Sequence, residues 1–209
     1  MGKFQKGKKK LVSTVMAVVF GLGVFCMGGC SELGIGRSKE PYVVTVDDLE
    51  IKVSETKIQE LADLGYEVTD FLPSQMVQNG ANIDFVYGEG YDMSIETEPN
   101  TIYYSNSLVK DGERIVAISV SNETQKIIPL GECIVDSVTL YPDEASAQRA
   151  VVEGIPFSDI SVDSLTTVLG EPSYISDSKE VYKWERGDYA LELNYREDGT
   201  LENLHIAYY

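Results

Sequence analysis

Apolar and polar residues alternate along much of this chain, a pattern typical of half-buried β-strands. The clearest alternation lies near the C-terminus, where three short segments predict an antiparallel meander with one buried and one solvated side. The predicted strands are Val181–Glu185, Tyr189–Tyr195 and Leu201–Tyr208. The segments between them, Arg186–Asp188 and Glu197–Thr200, contain the Gly and Asp residues of hairpin turns.

The two sides of this predicted meander differ in chemistry. The apolar side carries Tyr182, Trp184, Tyr189, Leu191, Leu193, Tyr195, Leu204, Ile206 and Tyr208. A helix that begins at Ser161, carries Leu165 and Val168 and ends at Gly170 precedes the strands, and we expect it to cover the apolar side. The polar side, which we name the candidate interaction face and expect to face water, consists of Lys183, Glu185, Glu192, Asn194 and His205.

The preceding part of the chain repeats the same plan weakly. Strands are predicted at Val43–Val46 and Leu49–Val53, followed by a helix capped by Ser54 or Thr56 and ended by Gly65. Its apolar positions are Ile58, Leu61, Ala62 and Leu64. Residues 81–141 then read as β throughout, with a hairpin turn at Asp111-Gly112. The sequence therefore predicts an α+β fold of two small modules, residues 42–148 and 149–209, each a short helix packed on an antiparallel meander.

Residues 1–41 have a different character. Five lysines lie within the first ten residues, no acidic residue precedes Glu32, and an apolar run extends from Leu11 to Phe25. A basic start, an apolar stretch and then small residues are typical of a secretory signal. A permanent membrane helix, which needs about twenty apolar residues, is the alternative. We interpret residues 1–29 as the signal segment and residues 30–41 as a flexible tether.

The end of the apolar run, Met27-Gly28-Gly29-Cys30, resembles the lipobox of bacterial lipoproteins. The resemblance implies that the Cys30 thiol receives a diacylglycerol and that the signal is cut just before it. Met27 departs from the Leu, Val or Ile that is usual at that position, and Cys26 is a rival acceptor that follows the bulky Phe25. Two acyl chains suffice for stable anchoring. The resemblance thus implies a lipid-anchored, palmitate-type lipoprotein on the outer face of a Gram-positive cell membrane.

A second resemblance covers residues 150–209. The segments Gly154–Phe157 and Leu169–Pro172, with Tyr182-x-Trp184 and Asp198-Gly199, are similar to a C-terminal module of small Gram-positive lipoproteins. The plan also resembles the outer-membrane-assembly small lipoproteins and the repeats of β-lactamase inhibitor proteins. It implies a binding or assembly module without catalysis. The run Ile155–Ser158 departs from the Gly-rich turn that often precedes the helix.

Charge and composition narrow the classes of partner that the protein is expected to bind. The chain has 17 basic and 34 acidic side chains, and without residues 1–29, which hold five of the basic and none of the acidic ones, it carries −22. Such an acidic chain argues against binding DNA or RNA, whose phosphates are bound through clustered Lys and Arg. An aromatic content of 10% argues against intrinsic disorder. The expected partners are the membrane, through Cys30, and a protein of the cell envelope.

The candidate catalytic and metal-binding residues are few. Ser54-x-x-Lys57 matches the S-x-x-K pattern of penicillin-recognising enzymes, but Ser176–Lys179 matches it equally, and Ser54 is better explained as a helix cap. His205 is the only histidine, and Cys133 alternates with apolar residues as a buried thiol would. We therefore expect no catalytic residue, no metal and no cofactor.

The expected function is that of a lipid-anchored extracytoplasmic binding protein without catalytic activity. Two alternatives stay open: the solute-binding lipoprotein of a transporter, which would need two βαβ lobes around a cleft, and a cell-envelope enzyme of unrecognised type.

Overall fold

The computed structural model describes residues 40–70 and 86–209, together with the backbone of three strands, Gln5–Lys8, Gln75–Asn79 and Asn82–Val86. In these parts the protein is mostly β, with two short α-helices. The predicted signal segment, the lipobox with Cys30 and the tether fall almost entirely outside the described residues. No described helix is long and apolar enough to span a membrane.

The strands and helices are numbered in chain order. The strands are β1 Gln5–Lys8, β2 Val43–Val46, β3 Leu49–Lys52, β4 Glu67–Asp70, β5 Gln75–Asn79, β6 Asn82–Val86, β7 Glu96–Thr97, β8 Thr101–Lys110, β9 Glu113–Asn122, β10 Ile128–Pro129, β11 Ile134–Leu140, β12 Ala150–Val152, β13 Ile155–Pro156, β14 Tyr174–Ile175, β15 Val181–Arg186, β16 Tyr189–Tyr195 and β17 Leu201–Tyr208. The helices are α1 Ile58–Asp63 and α2 Val162–Leu169. Short 3₁₀ turns lie at Leu130–Glu132, Ala147–Arg149 and Phe157–Asp159.

One large antiparallel sheet dominates the molecule. Its strand order is β1-β8-β9-β11-β17-β16-β15-β14, and β4 pairs with β8 beside β1. A four-stranded sheet has the order β13-β12-β2-β3, and the pairs β5–β6 and β7–β10 form two ribbons. The buried side chains of the two larger sheets and both helices belong to one continuous hydrophobic core.

The division into two modules with separate sheets needs correction. Strand β11, in the first predicted module, pairs with β17, in the second, so that Val138 lies opposite Ile206. Strand β12 crosses the predicted boundary in the other direction and pairs with β2. These pairings connect segments far apart in the chain, and alternation within one strand does not reveal which distant strand lies beside it. The three-stranded C-terminal meander itself is confirmed within one residue.

Local turn and capping signals account for the confirmed elements. Asp111 and Gly112 both have positive φ, 53° and 78°, as the two-residue turn between β8 and β9 requires. Ser161 caps α2 by accepting a hydrogen bond from the Ser164 backbone N–H at 3.1 Å, and the Ser164 hydroxyl accepts one from the Ser161 backbone N–H at 2.9 Å. Both interactions stabilise the start of the helix that covers the meander.

The predicted cap of α1 is wrong. Its N-cap residue is Lys57, and no side chain forms a cap hydrogen bond. Ser54 instead adopts a left-handed backbone conformation (φ 68°) and its hydroxyl lies 2.7 Å from Tyr189 Oη. The Thr56 hydroxyl accepts a hydrogen bond from the Lys52 backbone N–H at 2.9 Å. The local pattern could not show these longer-range partners.

The prediction of β structure throughout residues 81–141 is also wrong in part, because residues 87–95 have no strand structure. Backbone hydrogen bonds to other elements fix the position of this segment. The Tyr91 N–H donates to Val68 O at 2.8 Å, and Met93 O accepts from the Gly131 N–H at 2.9 Å.

Candidate interaction face

The apolar side of the C-terminal meander is buried, as its alternation predicts. Trp184, Leu191, Leu193 and Ile206 are at most 2% exposed. Leu165 of α2 is fully buried with them, whereas Val168 is 53% exposed and does not cover the sheet as expected. Its neighbour Leu169 is partly buried and packs against the core, so Val168 lies on the outer face of the helix.

The candidate interaction face lies on the opposite side of the same strands. Lys183 of β15 is directly opposite Glu192 of β16, which is opposite His205 of β17, which is opposite Thr139 of β11. Directly opposed residues of an antiparallel sheet point to the same side. The sheet therefore aligns these four residues in one row across four strands, an arrangement that brings together residues far apart in the chain.

Ionic contacts connect this row to its neighbours. Lys183 Nζ lies 3.3 Å from a carboxylate oxygen of Glu185 and 3.5 Å from one of Glu192. Tyr209, which directly follows β17, donates a hydrogen bond from its hydroxyl to Glu192 at 3.2 Å. Its ring lies 4.7 Å from Lys183 Nζ, within the range of a cation–π contact. One lysine is thus surrounded by two carboxylates and an aromatic ring.

Tyr209 was missed by the sequence prediction. Its position continues the alternation of His205, and its backbone N–H donates to Asp188 O at 2.9 Å. The alternation therefore contained the signal, but the predicted strand ended at Tyr208. Including Tyr209 makes the polar side of the meander partly aromatic.

The prediction that all five residues face water needs correction. The Glu185 side chain is 47% exposed, but those of Lys183 and Glu192 are each only 21% exposed. Asn194 and His205 are half-buried. Asn194 donates to Asn203 Oδ1 at 2.9 Å, so the two amides satisfy each other across β16 and β17. The face is a set of charged and polar side chains packed on one another, with Glu185 at its exposed end.

Burial and neighbouring charges shift three titrating groups here. Burial lowers the pKa of Lys183, but Tyr209, Glu185 and Glu192 outweigh it and the net pKa is raised. Burial raises the pKa of Tyr209, and the Glu192 charge adds to that rise. Burial lowers the pKa of His205, against a smaller opposite effect of Glu192. At neutral pH the face therefore presents a charged lysine, a neutral tyrosine and a neutral imidazole.

The side chains considered as candidate catalytic or metal-binding groups make structural contacts. His205 Nδ1 lies 2.9 Å from Thr139 Oγ1. Cys133 is buried and lies 3.3 Å from Thr97 Oγ1, and burial raises the pKa of its thiol, which disfavours the reactive thiolate. Within residues 40–70 and 86–209, no three His, Cys, Asp or Glu side chains come together as metal ligands.

Comparison with known proteins gives one distant structural similarity. No protein-family model and no curated protein matches the chain. The fold is similar to that of a DUF4309 family protein (YjgB) from Bacillus subtilis, with 12% sequence identity and a TM-score of 0.34, over 76% of this chain and 82% of that one.

Proposed function

We propose that this protein is a lipid-anchored extracytoplasmic binding protein, attached to the membrane through Cys30 and acting without catalysis. Its partner is a protein of the cell envelope, and its contact surface is the candidate interaction face. The observation that carries the proposal is the row Lys183, Glu192 and His205 across three neighbouring strands, extended by Tyr209. Half-buried charges on a rigid sheet suit selective contact with a complementary surface.

Two features favour this proposal over the alternative functions. A solute-binding protein of a transporter would be built from βαβ lobes with parallel strands, whereas every described strand pairing here is antiparallel. An enzyme would need an activated nucleophile or base, but Ser54 contacts a tyrosine hydroxyl, Cys133 is buried and His205 contacts Thr139. The resemblance of residues 27–30 to a lipobox supports the anchor.

The anchor is tested by metabolic labelling with a palmitate analogue, followed by membrane fractionation. Replacing Cys30 with Ala should abolish the label and release the protein from the membrane. The matched control is Cys26→Ala, which should keep both. Label that persists in Cys30→Ala and disappears in Cys26→Ala would show that the acceptor has been misassigned.

The contact surface is tested by photo-crosslinking in intact cells. A photoreactive amino acid replaces Glu185, the most exposed of the five predicted residues of the face, and the control replaces Glu60, an exposed residue of α1. The proposal expects a discrete protein adduct from position 185 and none from position 60. The same adduct from both positions, or an adduct from position 60 alone, would rule out this face.

A further inference from the structure

The outer edge of β8 is divided between two short strands. β4 pairs with Asn106–Val109, and β1 pairs with Thr101–Tyr104. Ser105, between these halves, has a positive φ of 58°, and the pairing of β8 with β9 shifts register at the same point. The backbone kink makes Thr101–Tyr104 a separate four-residue docking edge.

The strand paired with this edge, β1, belongs to the segment that signal cleavage would remove under the proposed function. β1 is Gln5–Lys8, within residues 1–29. Cleavage before Cys30 would leave the outer backbone N–H and C=O groups of Thr101–Tyr104 without β1. An exposed row of such groups is a template for another extended strand.

We propose that, in the processed protein, the edge Thr101–Tyr104 binds an extended, lysine-bearing segment of a partner protein by antiparallel strand addition. The inference rests on the proposed function, since it needs the first 29 residues to be removed. Strand β1 of the signal segment, which we also call the leader, shows how such a strand pairs with the edge. Gln5 lies opposite Tyr104 and Lys8 lies opposite Thr101. The partner strand takes the same register on the same backbone groups.

Charge near the edge supports a basic occupant. Glu96, Glu98 and Glu123 are exposed, and Lys126 is the one basic side chain in the adjoining turn Glu123–Ile127. Glu98 is held next to the edge because its backbone N–H donates to Tyr103 Oη at 2.7 Å. Asn122, which precedes Glu123, lies opposite Thr101. An incoming lysine-bearing strand is therefore attracted both by these carboxylates and by the −22 charge of the processed chain.

A cavity of about 300 Å³ adjoins the same edge. It is lined by Asn100, Thr101, Ile102, Ser121, Asn122, Glu123, Tyr208 and Tyr209. Ser121 is 1% exposed, and its hydroxyl makes no hydrogen bond within the described part of the chain. The leader has Gly7 opposite Ile102, so the leader itself brings no side chain to that register position. A side chain of the partner at that position would lie next to Ile102, which separates it from Ser121.

The test uses the protein extracted in detergent from membranes of cells that express it. Intact-mass analysis establishes whether residues 1–29 are present. A synthetic peptide of residues 1–10 is then added, and backbone amide exchange is measured at residues 101–104, with residues 106–109, paired with β4, as an internal control. In the processed protein, exchange should be fast at those amides of 101–104 that point to the outer edge and should slow at least tenfold at saturating peptide, while exchange at 106–109 stays unchanged.

Two controls establish dependence on the backbone and on charge. A peptide of the same sequence that is N-methylated at residues 5 to 8 cannot donate the strand hydrogen bonds and should give no protection at residues 101–104. The double variant Glu98→Lys with Glu123→Lys should weaken binding of the unmodified peptide by about an order of magnitude. Glu171→Lys, an exposed charge reversal beyond α2, should leave binding unchanged.

The outcomes separate this inference from the proposed function. A retained leader with residues 101–104 already protected would refute the lipoprotein assignment while supporting strand pairing at this edge. Fast exchange at 101–104 in a chain that retains its leader, or in the processed chain saturated with peptide, would overturn the inference. Equal protection by the N-methylated peptide would reduce the interaction to charge attraction without strand pairing and would overturn the inference as well.

Discussion

The Tyr42 hydroxyl donates a hydrogen bond to the Trp184 backbone carbonyl at 3.1 Å, across 142 positions of the chain. Tyr42 is 1% exposed, and the Arg186 guanidinium lies 4.3 Å from the centre of its ring. Arg186 in turn contacts Glu153 at 2.7 Å, and Glu153 accepts a hydrogen bond from the Val43 backbone N–H at 2.9 Å. This network joins the small sheet to the C-terminal meander.

Replacing Tyr42 with Phe should lower the free energy of unfolding by about 1–2 kcal/mol, because the buried Trp184 carbonyl loses its partner while the ring still packs. Urea denaturation followed by circular dichroism measures the change. Tyr174→Phe is the matched control, since Tyr174 is 54% exposed and should change stability by less than about 0.5 kcal/mol. Equal effects of the two variants would show that the hydrogen bond contributes nothing.

Tyr42 should also make stability sensitive to alkaline pH. Burial raises its pKa from 10.0 to about 12, with Arg186 opposing the rise. The fold therefore favours the neutral phenol, and the unfolded chain ionises first as the pH rises above 10. Stability should be lost between about pH 10 and pH 12, and Tyr42→Phe should lose less over the same interval. Parallel curves for the two proteins would contradict this assignment.

Trp184 should contribute strongly to the core. It is 2% exposed, and its indole N–H donates to Gly170 O at 2.8 Å. Trp184→Ala should cost about 3–5 kcal/mol, with Trp184→Phe less damaging because most of the volume is kept. Val168→Ala, at a 53% exposed position of α2, is the control. As the only tryptophan, Trp184 should emit at short wavelength in the folded protein and shift to the red on unfolding.

His205 should destabilise the fold when it is protonated. Burial lowers its pKa below the ordinary value of 6.5, with Glu192 opposing the shift. As the pH falls below 6.5 the unfolded chain takes up the proton first, so stability falls until the folded pKa is reached. His205→Gln should remove this contribution, while its cost at pH 8 reports the lost packing and the lost contact with Thr139. An imidazole NMR titration with a midpoint at or above 6.5 would contradict the prediction.

The two acidic residues beside Lys183 should behave differently. Glu192→Gln should cost about 0.5–1 kcal/mol, because Glu192 is half-buried and contacts both Lys183 and Tyr209. Glu185→Gln should cost close to nothing, since its carboxylate is largely solvated. Thermal unfolding of the two variants at low and high salt tests the difference. A larger loss of stability in Glu185→Gln than in Glu192→Gln would contradict the assignment of Glu185 to the exposed end of the face.

Elements with strong local signals were predictable from the sequence. The turn at Asp111-Gly112, the Ser161 cap and the alternation around Trp184 each depend on neighbours within a few residues. Their energetics are local, so the pattern of the chain suffices to locate them.

The remaining features depend on distant partners. The pairing of Val138 with Ile206, and the contact of Ser54 with Tyr189, have no counterpart in the residues next to them. For the same reason, the burial of the candidate interaction face could not be predicted from the sequence. Alternation correctly assigned Lys183 and Glu192 to one side of the sheet, but their burial follows from Tyr209 and from each other.

The position of β17 between β11 and β16 has a consequence for when the protein can fold. A chain that emerges with its N-terminus first delivers residues 201–208 after both of their neighbouring strands. Until β17 arrives, β11 and β16 each lack the strand that joins them in the folded sheet. Such late, non-local closure slows folding. The complete sheet therefore assembles only after β17 has emerged, and until then the preceding strands lack the closed sheet that would oppose passage through a narrow channel.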